Sequence, residues 1–474
     1  MPNSPIERLR RVGKIEACSF LILLFIAMPL KYLAGQPLAV KLVGWAHGVL
    51  FVWFCWVLFQ AWRSRLPFPM AVVAFIASLV PFGPFIIDGK LKLFEEAADE
   101  PARLAAMRRF RRLFILAAIA VPALIVIALV LRFAFFSGPF RKPETITSQP
   151  IIDVHCHVAG LGGGDSGCFV SPALRANFRF GIYLKGFGVT QEELKTQGDQ
   201  LGIQRIAERI TASKHVDKAV VLAIDGVINK DGELDRELTE FYVPNEFVAR
   251  ETARYPNLLF GASINPHRPD ALQRLEWAKA NGAVLVKWIP SVMLIDPADE
   301  SLRPFYEKMK QLNLPLLTHG GQEKSFTHAH DELADPERLK LPLEIGVKVI
   351  VAHVASTGEN EGVEDFQRLL PMFETYPNLY ADISSLTQGN KIGYLRRTLA
   401  DKRLDGRLLY GTDYPLINTT LVSPWFFPLN LTREQMTEIS AIENPFDRDA
   451  RLKQALGVPN DVFGRTAEFL GISN

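Results

Sequence analysis

The chain has 474 residues, 48% of them hydrophobic, with 53 Lys+Arg against 51 Asp+Glu. That length accommodates more than one domain, and the composition excludes a disordered chain, a collagen-like repeat and, with four Cys, a disulfide-stapled scaffold. The formal charge of +2 conceals an asymmetry: residues 1–142 hold 18 Lys/Arg and 7 Asp/Glu, a balance of +11, and residues 143–474 hold the other 35 and 44, a balance of −9.

Four long apolar segments come first, over residues 15–34, 42–62, 70–87 and 113–136. Each has roughly 18–24 residues, enough for a helix to cross about 30 Å of hydrocarbon. Basic residues flank them: Arg10, Arg11 and Lys14, then Arg63 and Arg65, then Arg108, Arg109, Arg111 and Arg112. Trp45, Trp53, Trp56 and Trp62 add the aromatic content of a lipid-facing or interfacial surface. A cleaved signal peptide would explain the first segment alone, but three more follow it. The expectation is an all-α transmembrane domain of about four helices. Its third member is the weakest, with Pro81 and Pro84 near its end. Loop Lys/Arg divide nine against nine between the two sides, so charge does not choose an orientation. Glu16 lies near the basic end of its helix and can reach the interface, and His47 is expected to be a neutral, hydrogen-bonded histidine.

After residue 142 the chain becomes soluble in character. Short β-branched runs at 150–155, 218–224, 258–263, 283–287, 314–319, 348–353, 378–384 and 407–413 alternate with amphipathic stretches such as 269–282 and 302–313. Eight buried-type strands alternating with helices over about 320 residues predict an α/β fold, a (β/α)₈ TIM barrel with its site at the strand C-termini. A doubly wound sheet is disfavoured because no Gly-rich dinucleotide motif follows the first strand. The long gap between strands one and two, containing Gly162, Gly163 and Gly164, predicts a lid or substrate loop.

Histidines carry the chemistry. The first strand ends in Asp153-Val-His155-Cys-His157, and strand alternation puts the two imidazoles on one face. Strand five ends in His319, strand six in His353 and strand eight in Asp413. A lone strand-end His is usually a packed core residue, but this series at one barrel mouth points to one or two divalent ions, zinc first.

The motifs IIDVHCH, LPLLTHGGQE, VIVAHVAS and YGTDYP, in that order, resemble the amidohydrolase superfamily, in its amidohydrolase-related branch, from about residue 149 to the C-terminus. The resemblance implies His155, His157, His319 and His353 as metal ligands and Asp413 as ligand and general base. It also places Lys287, in GAVLVKWIP, where some members carry a carboxylated lysine that bridges two metals. An unmodified lysine ligates only when deprotonated, so that role requires the modification or a lowered pKa. Residues 1–92, through AMPLKYLAG, GWAHGVLF and LVPFGPFIIDGKLK, resemble a family of small bacterial integral membrane proteins with no assigned activity.

The implied organisation is an integral membrane domain of three helices at 1–92, a charged loop, fourth helix and linker at 93–142, and a hydrolase barrel at 143–474. The implied activity is a metal-dependent hydrolase at the bacterial cell membrane, acting through activated water on an ester, lactone, amide or other C–N or C–O bond of a small substrate. A decarboxylase of the same branch and a non-catalytic membrane-anchored sensor are the alternatives. Glu323, His328 and His330, past strand five, are candidate substrate contacts. Asp225 and Asn265 also fall at mouth positions, while Cys156 faces away from the histidines and is expected to pack. No P-loop, serine elbow or basic nucleic-acid stripe is present, so the expected partners are a small molecule and a lipid bilayer.

Overall fold

The computed structural model describes residues 4–28, 37–64, 66–96, 122–130 and 146–472. The chain divides into two compact units, Met1–Phe135 and Phe136–Asn474.

In the first unit, α1 (Pro5–Ile22) opens with the Ser4 hydroxyl accepting from the Glu7 amide at 3.0 Å and with Pro5 at a position that needs no N–H donor. It continues through a π turn at Leu23–Ala27. α2 (Pro37–Ser64), α3 (Phe68–Ser78) and α4 (Gly83–Glu96) follow. Leu9 and Val12 of α1 pack with Phe54, Val57 and Ala61 of α2. Arg10 donates to Asp88 at 2.9 and 3.1 Å and to Glu95 at 2.7 Å, tying α1 to α4. The outward surface is apolar, with Trp45, Val52 and Ile86 at 78%, 69% and 71% exposure, as a lipid-covered surface requires.

Among the described residues one helix, Val40–Ser64, is long and apolar enough to cross a membrane. The single third helix expected over residues 70–87 is divided. The chain turns at residues 79–82 between α3 and α4. Pro81 and Pro84 supply no N–H, and a Cβ on Gly83 would lie 1.9 Å from the Ala77 carbonyl oxygen. Of the fourth apolar segment, residues 122–130 are helical; its other residues, the Arg108–Arg112 cluster and most of the linker lie outside the described residues. Glu16 is fully buried with neither carboxylate oxygen hydrogen-bonded, and His47 Nδ1 lies 2.9 Å from the Ser19 hydroxyl.

The second unit is an eight-stranded parallel barrel of β1 (Ile152–His157), β2 (Lys218–Leu222), β3 (Leu258–Ala262), β4 (Ala283–Trp288), β5 (Leu316–Thr318), β6 (Val349–Val351), β7 (Leu379–Asp382) and β8 (Leu408–Leu409), hydrogen-bonded in that order. Val154 N donating to Tyr410 O at 3.1 Å, Asp413 N to His155 O at 2.9 Å and His157 N to Tyr414 O at 2.9 Å join the last strand to the first. All eight predicted strands are present. Ile152, Val154, Val220, Leu222, Leu285, Leu317, Ile350 and Leu409 form one buried cluster inside the ring. Two-residue alternation stacks Lys287 above Leu285 and His319 above Leu317, so the apolar plug supports the polar mouth. The helix Asn460–Leu470 packs on β1 and β8.

The long segment between β1 and β2 folds into short helices that include Phe178–Phe187. Asp199 anchors it, accepting from Leu161 N and Gly162 N at 2.8 Å each and from the Ser166 hydroxyl at 2.5 Å. Gly160 is required there, since a Cβ would sit 2.4 Å from Asp199 Oδ2.

Candidate metal centre

His155 and His157 reach the mouth through an irregularity: the β1 register against β2 shifts between Asp153 and Cys156. Their Nε2 atoms lie 3.0 Å apart, and Asp413 Oδ1 lies 3.6 Å from the first and 3.3 Å from the second. Lys287 Nζ is 3.1 Å from His155 Nε2. The His353 ring stacks on His155 with centroids 5.1 Å apart, its Nε2 4.0 Å from Asp413 Oδ2, and the His319 ring meets it edge-on at 5.4 Å. Six side chains from β1, β4, β5, β6 and β8, chosen on sequence grounds alone, thus stand around one point.

A divalent cation fits this arrangement. The donor atoms of His155, His157 and Asp413 all lie within 4.8 Å of one another. A tetrahedral ion with bonds of about 2.0 Å needs donor–donor edges of about 3.3 Å, and the separations of 3.0, 3.3 and 3.6 Å bracket that value. His319 Nε2 is buried without a hydrogen-bond partner, an arrangement that is costly in a neutral core and relieved if that nitrogen ligates an ion.

Asp382, at the end of β7, organises the imidazoles and was not singled out from the sequence. Its Oδ2 accepts from His155 Nδ1–H at 2.9 Å, and its Oδ1 accepts from His353 N at 2.9 Å and from the Ser384 hydroxyl. Because that hydroxyl donates to a carboxylate, its oxygen accepts from His353 Nδ1–H at 2.8 Å. Both rings therefore carry their proton on Nδ1 and turn an Nε2 lone pair to the centre. The clue in the sequence was an acidic residue closing the strand NLYADIS, where an apolar strand would ordinarily end without one.

Electrostatics agree with ligation. Burial, helped by the Lys287 cation, pushes His155 down to about 4, so the neutral imidazole that a metal needs is its resting form at pH 7. Burial also lowers His353 and His319. Asp413 is held well below the usual carboxylate range, against the cost of burial, because a proton entering this cluster is shared with His353, His157 and His155, whose charge then favours the carboxylate. The Ser385 hydroxyl donates to its Oδ2 at 2.9 Å. Burial brings Lys287 down to about 8, which raises its fraction of free amine.

A cavity of about 450 Å³ opens onto this centre, lined by all six residues. Glu323 lines it too, 3.6 Å from His319 Nδ1. The expectation for His328 and His330 is corrected: both are exposed and neither lines the cavity. Glu240 binds the amides of Thr327 and His328, and the His330 ring pairs with Glu332 at 3.2 Å in solvent, which turns this loop outward. Asp225 and Asn265 also do other work. Arg268 grips Asp225 through two bonds of 2.8 and 2.6 Å, and Asn265 donates to the Gly226 and Met293 carbonyls. Cys156 and Cys168 are buried free thiols.

Residues 152–445 match the amidohydrolase family. The chain belongs to that family. Residues 6–92 match the domain of unknown function DUF3817. Over 96 residues the chain is 51% identical to the uncharacterized membrane protein YdzA of Bacillus subtilis (strain 168), which covers 20% of this chain and 100% of that protein. The amidohydrolase barrel is therefore joined to a domain homologous to a membrane protein. Similar solved structures include an uncharacterized TIM-barrel protein from Bordetella bronchiseptica, with 17% identity, TM-score 0.40, and 65% of this chain and 100% of that one covered. The apo form of an IDCase from Metarhizium anisopliae is similar at 13% identity and TM-score 0.40, covering 69% and 98%.

Proposed function

We propose that this protein is a membrane-anchored, metal-dependent hydrolase that cleaves an ester, lactone, amide or related C–O or C–N bond of a small substrate. The observation that carries the reading is the convergence of His155, His157 and Asp413 at tetrahedral separations, with His319, His353 and Lys287 beside them. These residues would hold one divalent ion, zinc first, or two if Lys287 is carboxylated. When bound, such an ion would lower the pKa of its water to about 7 and polarise the scissile carbonyl.

The protein's own groups do the rest. Asp413, kept ionised and fixed by Ser385, accepts the proton of the attacking water and returns it to the leaving group. Asp382 holds His155 and His353 in the ligating tautomer. The helix Phe178–Phe187 contributes one wall of the cavity and restricts water. Anchorage follows from the membrane-protein homology, with about four spanning helices as the proposed number.

The test is metal analysis of purified full-length protein, then an ester, lactone and amide panel beside a CO₂-release assay. Metal-dependent cleavage without CO₂ supports hydrolysis. CO₂ release instead replaces it with decarboxylation, and bound metal with no turnover favours a ligand sensor. Extraction by detergent but not by alkaline carbonate checks the anchorage.

A further inference from the structure

Lys391 lies in the loop after β7, within the short helical turn Gly389–Lys391, and lines the same cavity as the metal centre. It is 9% exposed. Among the described residues its ammonium makes no hydrogen bond and has no carboxylate within 4.0 Å; Asp413, Glu323 and Asp382 act on it only through space. The ammonium keeps a little accessible surface, and a cation so largely desolvated without an ion-pair partner is costly, a cost that an anionic ligand offsets. The resident carboxylates do not offset it. Glu323 faces His319 and accepts from Ser325 N at 2.6 Å, and Asp413 is engaged by the histidines and Ser385.

The cavity lining includes Gln388 and Asn390, close to Lys391 in the chain, and two further cations, Arg179 and Lys324. It also includes the apolar side chains of Leu174, Phe180, Leu184, Phe187 and Phe241. A ligand matching both has an anionic end and an apolar body.

We propose that Lys391 is the anion-recognition residue of the active cavity and that the substrate is a carboxylate-bearing molecule with an apolar body. The carboxylate meets the Lys391 ammonium, the apolar part lies along the wall headed by Phe180 and Phe187, and the scissile group falls at the metal centre. This rests on the hydrolase reading for the identity of the reaction, though not for the existence of the subsite.

The experiment uses full-length protein in lipid nanodiscs, stripped of metal by chelation, and measures binding of 4-phenylbutyrate, 4-phenylbutyramide and acetate by calorimetry. Expected for the wild type is at least about tenfold tighter binding of 4-phenylbutyrate than of its amide, the value of one charge-assisted hydrogen bond, and weaker binding of acetate. Lys391→Met should abolish the preference while leaving affinity for the amide unchanged, which also shows that the variant is folded. Lys391→Arg should restore the preference. Equal binding of acid and amide by the wild type, or a preference that survives in Lys391→Met, overturns the proposal. Because these measurements need neither metal nor turnover, their failure removes the subsite alone. Absence of metal-dependent cleavage in the loaded protein removes the hydrolase reading alone.

Discussion

The residue whose removal most sharply tests the architecture of the centre is Asp382, which touches neither the cavity nor the proposed ion. Four donors converge on its carboxylate: His155 Nδ1 at 2.9 Å on Oδ2, and His353 N at 2.9 Å, Ser384 N at 3.0 Å and the Ser384 hydroxyl on Oδ1. Asparagine fills the same space but offers one acceptor oxygen. Three donors oblige that oxygen to take the Oδ1 side, so the amide NH₂ faces His155 Nδ1. The ring must then accept there and carry its proton on Nε2, which points at His157 Nε2, 3.0 Å away, and at Lys287 Nζ, 3.1 Å away. One lone pair is lost from the centre without any ligand being mutated. Asp382→Asn should weaken metal binding about 10- to 100-fold, or about 1.4–2.7 kcal/mol, and lower kcat in parallel. The assay is competition between the stripped protein and a chromogenic chelator, with near-UV circular dichroism to establish packing. A variant with native dichroism and metal affinity within about threefold of wild type would refute the tautomer argument.

Other outcomes follow from individual residues. His353→Asn or Asp413→Asn should cut turnover by at least about 10²-fold with the dichroism unchanged, and full activity in metal-depleted wild type would contradict both. Lys287 sits near pKa 8 through burial, against an ordinary value of 10.5. Between those values the unfolded chain holds a proton that the folded chain lacks. Stability of the metal-free protein should therefore rise with pH across that window by about 3 kcal/mol. Lys287→Met should remove the slope and be the more stable protein at pH 7, as read by thermal unfolding of the barrel at several pH values. Arg268→Ala strands the buried Asp225 and should cost about 3–5 kcal/mol in the same assay, with metal content unchanged.

The fold was legible because parallel barrel strands are buried on both faces and read as β-branched runs, and eight such runs stood in the chain at workable spacing. The candidate ligands stood out because each falls within or a few residues past the C-terminal half of a strand. Two kinds of residue were not legible. Asp382 does its work by hydrogen-bonding two imidazoles that lie 227 and 29 residues away in the chain, a relation that exists only after the barrel closes. His328 and His330 looked like cavity residues by nearness to His319, but Glu240, 87 residues upstream, captures the intervening Thr327 and redirects the loop. The third membrane segment misled in a simpler way. Apolar composition predicts burial in lipid but not helical continuity, and Pro81, Gly83 and Pro84 interrupt it.

The backbone shows how the barrel enforces the convergence. His353, Val354 and Ala355 after β6, Ser385 after β7 and Asp413 after β8 all have left-handed φ, between +49° and +63°. None is glycine, and valine is among the side chains least tolerant of that region. Each such residue costs of order 1–3 kcal/mol and persists only where its surroundings over-determine it. Here the restraints are identifiable. Asp382 holds His353 N, Asp413 N donates to His155 O, and Asp153 clamps Thr412 through its amide at 2.9 Å and its hydroxyl at 2.6 Å. Of these, His353 and Asp413 carry candidate donors, Ser385 fixes Asp413, and Val354 and Ala355 continue the turn that begins at His353. A relaxed backbone would spread these donors apart, and mutual repulsion among lone pairs and carboxylates would favour doing so. The amidohydrolase barrel instead uses the stability of its closed sheet to keep electron-rich atoms about 3 Å apart, an arrangement that becomes favourable only when a cation joins them.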